Sequence, residues 1–295
     1  MKFIYLLIGV LFPFFAIAQS PPPDHPPTNI YLFNYRQVHD SLYKFSRPKF
    51  LTKFNLGGYN NQPAFFNDHI IYLTSTPTRE GNPDILKLNL AERTVSKVTA
   101  TPDGEYSATN IFDSGNFSVI KTEPNDVQRL WKMPIDRSSK GKALLPERTN
   151  IGYHLWLDEN KVALFVVGDP HYLAVADIRD NSSIKLTSHI GRCFQKLPNG
   201  NLAYVYKATD TTWYLQELNS SNYKTKIISK TLAGVEDFVI LRDGTFLMGS
   251  GSTLFKLHPA IDSNWLPIID LENYGIKNIS RMAINKTGKI AIVSE

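Results

Sequence analysis

The stretch Gln62-Pro63-Ala64-Phe65-Phe66-Asn67-Asp68-His69-Ile70-Ile71-Tyr72 is followed by Asp84-Ile85-Leu86-Lys87-Leu88-Asn89-Leu90, by Val95-Ser96-Lys97-Val98-Thr99 and by Gly104-Glu105-Tyr106-Ser107. Apolar residues alternate in these runs, β-branched and aromatic types are frequent, and Asn, Asp, Gly and Pro separate one run from the next. Alternation with period two buries one face of a strand, and the punctuating residues supply turns. The stretch reads as four short strands, and the rest of the chain repeats it loosely.

The repeats align on the turn after the first strand. It reads Phe66-Asn67-Asp68-His69, Phe112-Asp113-Ser114-Gly115, Leu157-Asp158-Glu159-Asn160, Leu197-Pro198-Asn199-Gly200, Leu241-Arg242-Asp243-Gly244 and Asn285-Lys286-Thr287-Gly288. Gly or Asn in last place is expected to supply a left-handed backbone, with His69 as the departure. An apolar strand follows each turn: Ile70 to Leu73, Phe117 to Ile120, Val162 to Val167, Leu202 to Val205, Phe246 to Met248 and Ile290 to Val293. The turns recur about every 40 to 50 residues, the length of one four-stranded propeller blade.

Third and fourth strands follow in five units, for example Asp84 to Leu90 with Thr94 to Thr99, and Trp213 to Leu218 with Thr225 to Ser229. The sixth unit stops at Glu295 after its second strand, whereas Asn29 to Tyr35 and Lys49 to Lys53 have no first and second strands of their own. The two fragments complete one another. The predicted fold is all-β: a six-bladed β-propeller over residues 29–295, its last blade closed by N-terminal strands pairing with C-terminal strands. Closure of this kind removes exposed sheet edges.

Residues 1–18 read as a signal peptide: Met1-Lys2 is a short positive region, Phe3 to Phe15 an apolar core, and Ala16-Ile17-Ala18 a small-x-small cleavage pattern. A membrane anchor needs about 20 apolar residues, so export is the expectation, with no membrane insertion. Gln19 stands where a bacterial lipoprotein carries Cys. Residues 19–28, with Pro21-Pro22-Pro23-Asp24-His25-Pro26-Pro27, read as an extended spacer. The single Cys193 cannot form a disulfide within the chain and reads as a small buried hydrophobe. The expected product is a periplasmic or secreted monomer held together by packing.

Composition excludes some partners. The 295 residues are 42% hydrophobic, enough for one large core, and the net charge of +5 is a small excess of 32 basic over 27 acidic residues. Those charges are scattered, and without a basic run no nucleic-acid partner is expected.

The chain resembles the six-bladed propeller domain of the TolB-like family. That repeat reads x-x-Pro-x-Phe-Ser-Pro-Asp-Gly, an apolar strand, Asp-Ile-Tyr-x-x-Asp and a strand ending in Leu-Thr. Pro63, Phe65, Asp68, Asp84, Ile85, Val98 and Thr99 stand at matching positions, and Gly104-Glu105-Tyr106-Ser107 resembles the opening of the next blade. Asn67 replaces the family's Pro and His69 its Gly. The resemblance covers the propeller alone. It implies an envelope protein or peptide as partner, bound at one end of the central channel, although the same repeat also caps hydrolases. A peptidase of that type needs a Gly-x-Ser-x-Gly elbow, and Gly249-Ser250-Gly251-Ser252 is out of register for it and reads as a turn.

The seven histidines, His25, His39, His69, His154, His171, His189 and His258, show no paired ligand spacing, so no cofactor is expected from them. Carboxylates around a propeller channel can still hold a divalent cation, which keeps a metal-assisted hydrolase, lactonase or lyase as the alternative. The informative positions lead each first strand, because first strands line the channel. The candidate binding residues there are Asn61, Gln62, Glu105, His154, Arg192, Glu236, Asp237 and Arg281, with Ser107, Tyr153 and Ser280 beside them. Two readings are open. The arginines clamp an acidic group of a ligand, or they pair with Glu105, Glu236 and Asp237 and close the channel.

Overall fold

Second strands explain the architecture. In the computed structural model, which describes residues 25–39, 42–79, 81–112 and 115–295, these strands are buried on both faces. Val162 and Leu164 pack toward the preceding blade, whereas Ala163 and Phe165 pack toward the following one. Ile290 and Ile292 face one neighbour, and Ala291 and Val293 the other. Six hydrophobic clusters result, one in each seam between adjacent blades. Each buried Val, Leu or Ile contributes about 1.5–3 kcal/mol, so the seams hold the ring together without a disulfide. Fourth strands form the rim, where Val95, Ile184 and Ile227 are exposed.

Five four-stranded antiparallel sheets and one five-stranded sheet make up the ring. Their first strands are Tyr59–Phe65, Gly104–Asn110, Ile151–Trp156, Ile190–Lys196, Phe238–Ile240 and Ile279–Ile284, in blades one to six. Each contacts the first strands on either side, and Ile279–Ile284 meets Tyr59–Phe65 to close the circle. The fold is the predicted six-bladed β-propeller.

Blade six closes through both chain ends. Asn29–His39 pairs antiparallel with Lys289–Ser294, with Ile30 opposite Val293 and Leu32 opposite Ala291. The outer edge differs from expectation. Lys49–Phe50 is short and Lys53–Asn55 is a 3-10 turn, while Leu42–Phe45 pairs with the overhanging end of the long strand, Tyr35 lying opposite Phe45. Pro48 lacks the N–H that would carry one continuous outer strand, so two short strands share the edge. The resulting hairpin projects beyond the last turn, where the Tyr35 N–H donates to the Gly288 carbonyl at 2.7 Å.

The turns are held in two ways. Gly200, Gly244 and Gly288 are left-handed as expected, with φ of 84°, 91° and 85°. Asn160 is not left-handed; instead, Asp158 Oδ1 accepts the N–H groups of Asn160 and Lys161 at 2.8 and 2.7 Å. In blade one, Asn67 Oδ1 accepts those of His69 and Ile70 at 2.8 and 2.9 Å. A side-chain acceptor thus replaces the glycine, which accounts for His69 in the first repeat. The predicted signal peptide and the first part of the spacer lie outside the described residues.

Candidate binding site at the channel mouth

A bulge interrupts five of the six first strands near their start. The register skips between Asn61 and Ala64, Tyr106 and Thr109, Ile151 and Tyr153, Ile190 and Phe194, and Ile279 and Arg281. An extra residue bends the strand and re-aims its side chains, so it decides which residues face the mouth. Gln62 and Ser107 sit in two of these bulges with φ of 53° and 55°. A left-handed backbone costs a non-glycine residue about 1–3 kcal/mol. The cost is offset by hydrogen bonding, since Gln62 Oε1 accepts the Thr74 hydroxyl at 2.8 Å and the Ser107 N–H at 2.7 Å. Asn61 Oδ1 accepts the Gln62 N–H at 2.7 Å. Gln62 therefore fastens blade one to blade two, and Asn61 holds the Gln62 backbone.

Four other candidates converge. Arg192 donates to Asp237 Oδ2 through Nε at 3.0 Å and Nη2 at 2.7 Å. Arg281 Nε lies 3.8 Å from Asp237 Oδ1, so two guanidinium groups flank one carboxylate. Glu236 Oε1 is 3.5 Å from Arg192 Nε, and its Oε2 is 2.8 Å from Lys207 Nζ. Gly191 permits this arrangement, because a Cβ there would meet Glu236 Oε2 at 3.0 Å and Glu236 Cβ at 3.1 Å. Burial opposes the charge of Arg281, but Tyr153, Asp237 and Tyr59 outweigh it and raise its pKa further above the ordinary value. A cavity of about 300 Å³ opens beside the cluster, lined by Arg192, Glu236, Asp237, Ser280 and Arg281 among others. Ser280 Oγ and Arg281 Nε are buried there without a hydrogen-bond partner.

The opposite side of the mouth is aromatic. The His25 ring lies 4.9 Å from that of Tyr59 and 5.9 Å from that of Tyr106, and its Nε2 is 3.2 Å from the Tyr106 hydroxyl. Burial pushes the Tyr59 hydroxyl up to about 12. The His25 N–H donates to the Arg79 carbonyl at 3.1 Å, and Thr28 exchanges hydrogen bonds with Asn60. The end of the proline-rich stretch is thus docked on blade one rather than acting as spacer, because His25 and Thr28 are buried. Proline spacing in the sequence did not reveal this, since the anchoring aromatic rings come from distant strands.

Glu105 and His154 stand apart from the charged cluster. Glu105 is fully buried against the connection from blade one, where its N–H donates to the Pro83 carbonyl and its carboxylate accepts the Thr101 hydroxyl. Its Oε2 has no partner, and burial pushes the acid up to about 7. His154 Nε2 lies 2.7 Å from Ser118 Oγ, to which Trp156 Nε1 donates at 2.9 Å. Every donor is satisfied if Nε2 carries the proton and the Ser118 hydroxyl turns to the Thr109 carbonyl 3.3 Å away. Burial lowers the His154 pKa to about 3, so the ring is neutral. Lys207, Tyr59, Tyr106 and His25 belong to the mouth although the sequence reading did not select them. Lys207 ends a second strand, and strands that run back toward the mouth were its available signal.

Among the described residues, no group of three or more His, Cys, Asp or Glu is placed to hold a metal ion, and no helix is long and apolar enough to cross a membrane. No protein-family model and no curated protein matches the sequence. Solved structures do. A TolB-assigned protein from Agrobacterium tumefaciens superposes with a TM-score of 0.64 at 12% identity, covering 91% of this chain and 98% of its own. The fold is the TolB-type propeller. TolB from Acinetobacter baumannii matches with a TM-score of 0.60 at 14% identity over 93% of this chain, and this chain spans 65% of that one. An oligogalacturonate lyase in complex with manganese shares the TolB-type ring at 0.56 and 13%, covering 78% of this chain and 70% of the lyase. At such identities the likeness is one of fold.

Proposed function

We propose that the chain is an exported, non-enzymatic TolB-type propeller that binds an envelope protein or peptide at its channel mouth, through a carboxylate of that partner. One observation carries the reading: Arg192 and Arg281 flank a single carboxylate beside a cavity of about 300 Å³. Two guanidinium groups offer ten N–H donors, and Asp237 cannot accept them all. Bidentate capture of a second carboxylate uses the surplus, with Arg192 as the accessible arm at 36% side-chain exposure. Ser280 adds an unpartnered hydroxyl at the same cavity. Export agrees with the small-x-small pattern ending at Ala18.

The test uses a bead-bound library of random heptapeptides with free C-terminal carboxyl groups, beside the same library amidated. The purified protein is expected to retain acidic or free-carboxyl peptides, and R192M or R281M to lose them. Retention indifferent to both arginines overturns the proposal. Catalysis also occurs on this fold, so a calorimetric titration with Mn²⁺ belongs beside the library. A saturable heat lost on Asp237→Asn would favour the metal-assisted alternative.

A further inference from the structure

The channel has a second end, where the turns between first and second strands gather. A cavity of about 1050 Å³ occupies it. Residues of blades one, two, four, five and six line it, and the overhanging hairpin adds Tyr35 and Gln37 as a wall. Its lining includes Phe65, Phe66 and Ile284, which are only partly buried, and the largely buried Ile240 and Leu241. Small-molecule sites usually combine such walls with a few convergent polar groups, in volumes of about 300–1,000 Å³.

The charged groups are unequal in their engagement. Asp68 Oδ1 accepts the Asn285 amide at 3.1 Å, and Asp243 Oδ1 accepts the Thr245 N–H at 2.9 Å. Lys196 Nζ donates to the Leu157 carbonyl at 2.6 Å. Arg242 and Lys286 are exposed and have no hydrogen-bond or ion-pair partner among the described residues. The lining carries three cations, Lys196, Arg242 and Lys286, against two carboxylates, Asp68 and Asp243, which keep their charge while each accepts a neutral donor. Charge complementarity then selects the ligand class.

We infer that the turn end of the channel binds an amphipathic anion, its apolar body against Phe65, Ile240 and Ile284 and its carboxylate at Arg242 and Lys286. The site is independent of the mouth, because Arg281 of blade six reaches Tyr153 of blade three across the ring between the two ends. The overhanging hairpin deepens the bowl. A blade six with one continuous outer strand would lack that wall.

Calorimetry with dodecanoate below its micellar concentration tests the inference on the purified chain. Saturable binding is expected, at least tenfold weaker in the surface variant R242E/K286E, unchanged in R192M and weak for dodecylammonium. Absence of saturable dodecanoate binding overturns it, as does equal binding of dodecylammonium, an unaffected R242E/K286E or a loss confined to R192M. A parallel sedimentation with phosphatidylglycerol vesicles separates the dissolved ligand from a lipid surface. Binding to vesicles without binding of dissolved dodecanoate would mean adsorption to a membrane, and the pocket assignment would fall.

Discussion

Arg281 lies over the ring of Tyr153, 5.0 Å from its centroid, and donates through Nη2 to the Tyr153 hydroxyl at 3.2 Å. The two residues come from blades six and three, opposite one another in a six-membered ring, so this contact bridges the diameter of the channel. A cation over an aromatic face contributes about 0.5–2 kcal/mol, more as the pair is desolvated, and the hydroxyl adds a charge-assisted bond. A side-chain bridge therefore crosses the channel at the mouth.

The bridge predicts a graded response at Tyr153. Y153F keeps the ring and loses the hydrogen bond, so stability should fall by about 1 kcal/mol. Y153A removes both and should cost about 3 kcal/mol. Urea midpoints measure the pair, and equal losses would show that the ring contributes nothing.

The two arginines should separate in their effect on stability. Arg192 is 36% exposed, and solvent screening holds the expected loss in R192M to about 1 kcal/mol. Arg281 is 15% exposed and engages Tyr153 and Asp237, so R281M should cost about 3 kcal/mol. Urea melts compared with peptide retention then distinguish clamp from closure: a large stability loss in both variants would mark the arginines as structural.

Two buried groups give the folding stability opposite pH slopes. Glu105 is raised from 4.5 to about 7, so the folded state holds a proton that the unfolded state has released. Its contribution is full below pH 4.5 and is lost as pH rises toward 7. His154 is lowered from 6.5 to about 3, so its contribution is full above pH 6.5 and is lost as pH falls toward 3. E105Q should abolish the alkaline decline and exceed the parent by about 2 kcal/mol at pH 8. Urea midpoints from pH 3.5 to 8 follow both slopes, and a persisting decline in E105Q would assign it elsewhere.

The N-terminal segment should divide at His25. A chain beginning at His25 is expected to melt like one beginning at Gln19, whereas H25A should lose about 1–2 kcal/mol of aromatic packing. Removing Asn29 to Lys53 takes away the third strand of blade six and leaves the Lys289–Ser294 edge unpaired. Aggregation is the expected outcome. A soluble, cooperatively melting product would refute closure by this strand.

Local chemistry in the sequence determined the blades. The apolar runs at Val162 to Val166 and Ile290 to Val293 are legible because both faces of a second strand are buried, whatever the neighbouring blade contributes. The missing strands at the two ends likewise predicted their own pairing, since an unpaired edge is costly wherever it lies. Tertiary structure decided the site. Counting back from the turns selected eight residues, of which the structure brings Arg192, Glu236, Asp237 and Arg281 into one charged cluster and holds Asn61, Gln62, Glu105 and His154 in separate contacts. Bulges re-aim five of the six first strands, and Gln62 and Ser107 adopt left-handed backbones without the glycine that would have announced them. The docking of His25 and the overhang of Tyr35 are equally silent in sequence. Each depends on partners from strands remote along the chain, which only ring closure brings within reach.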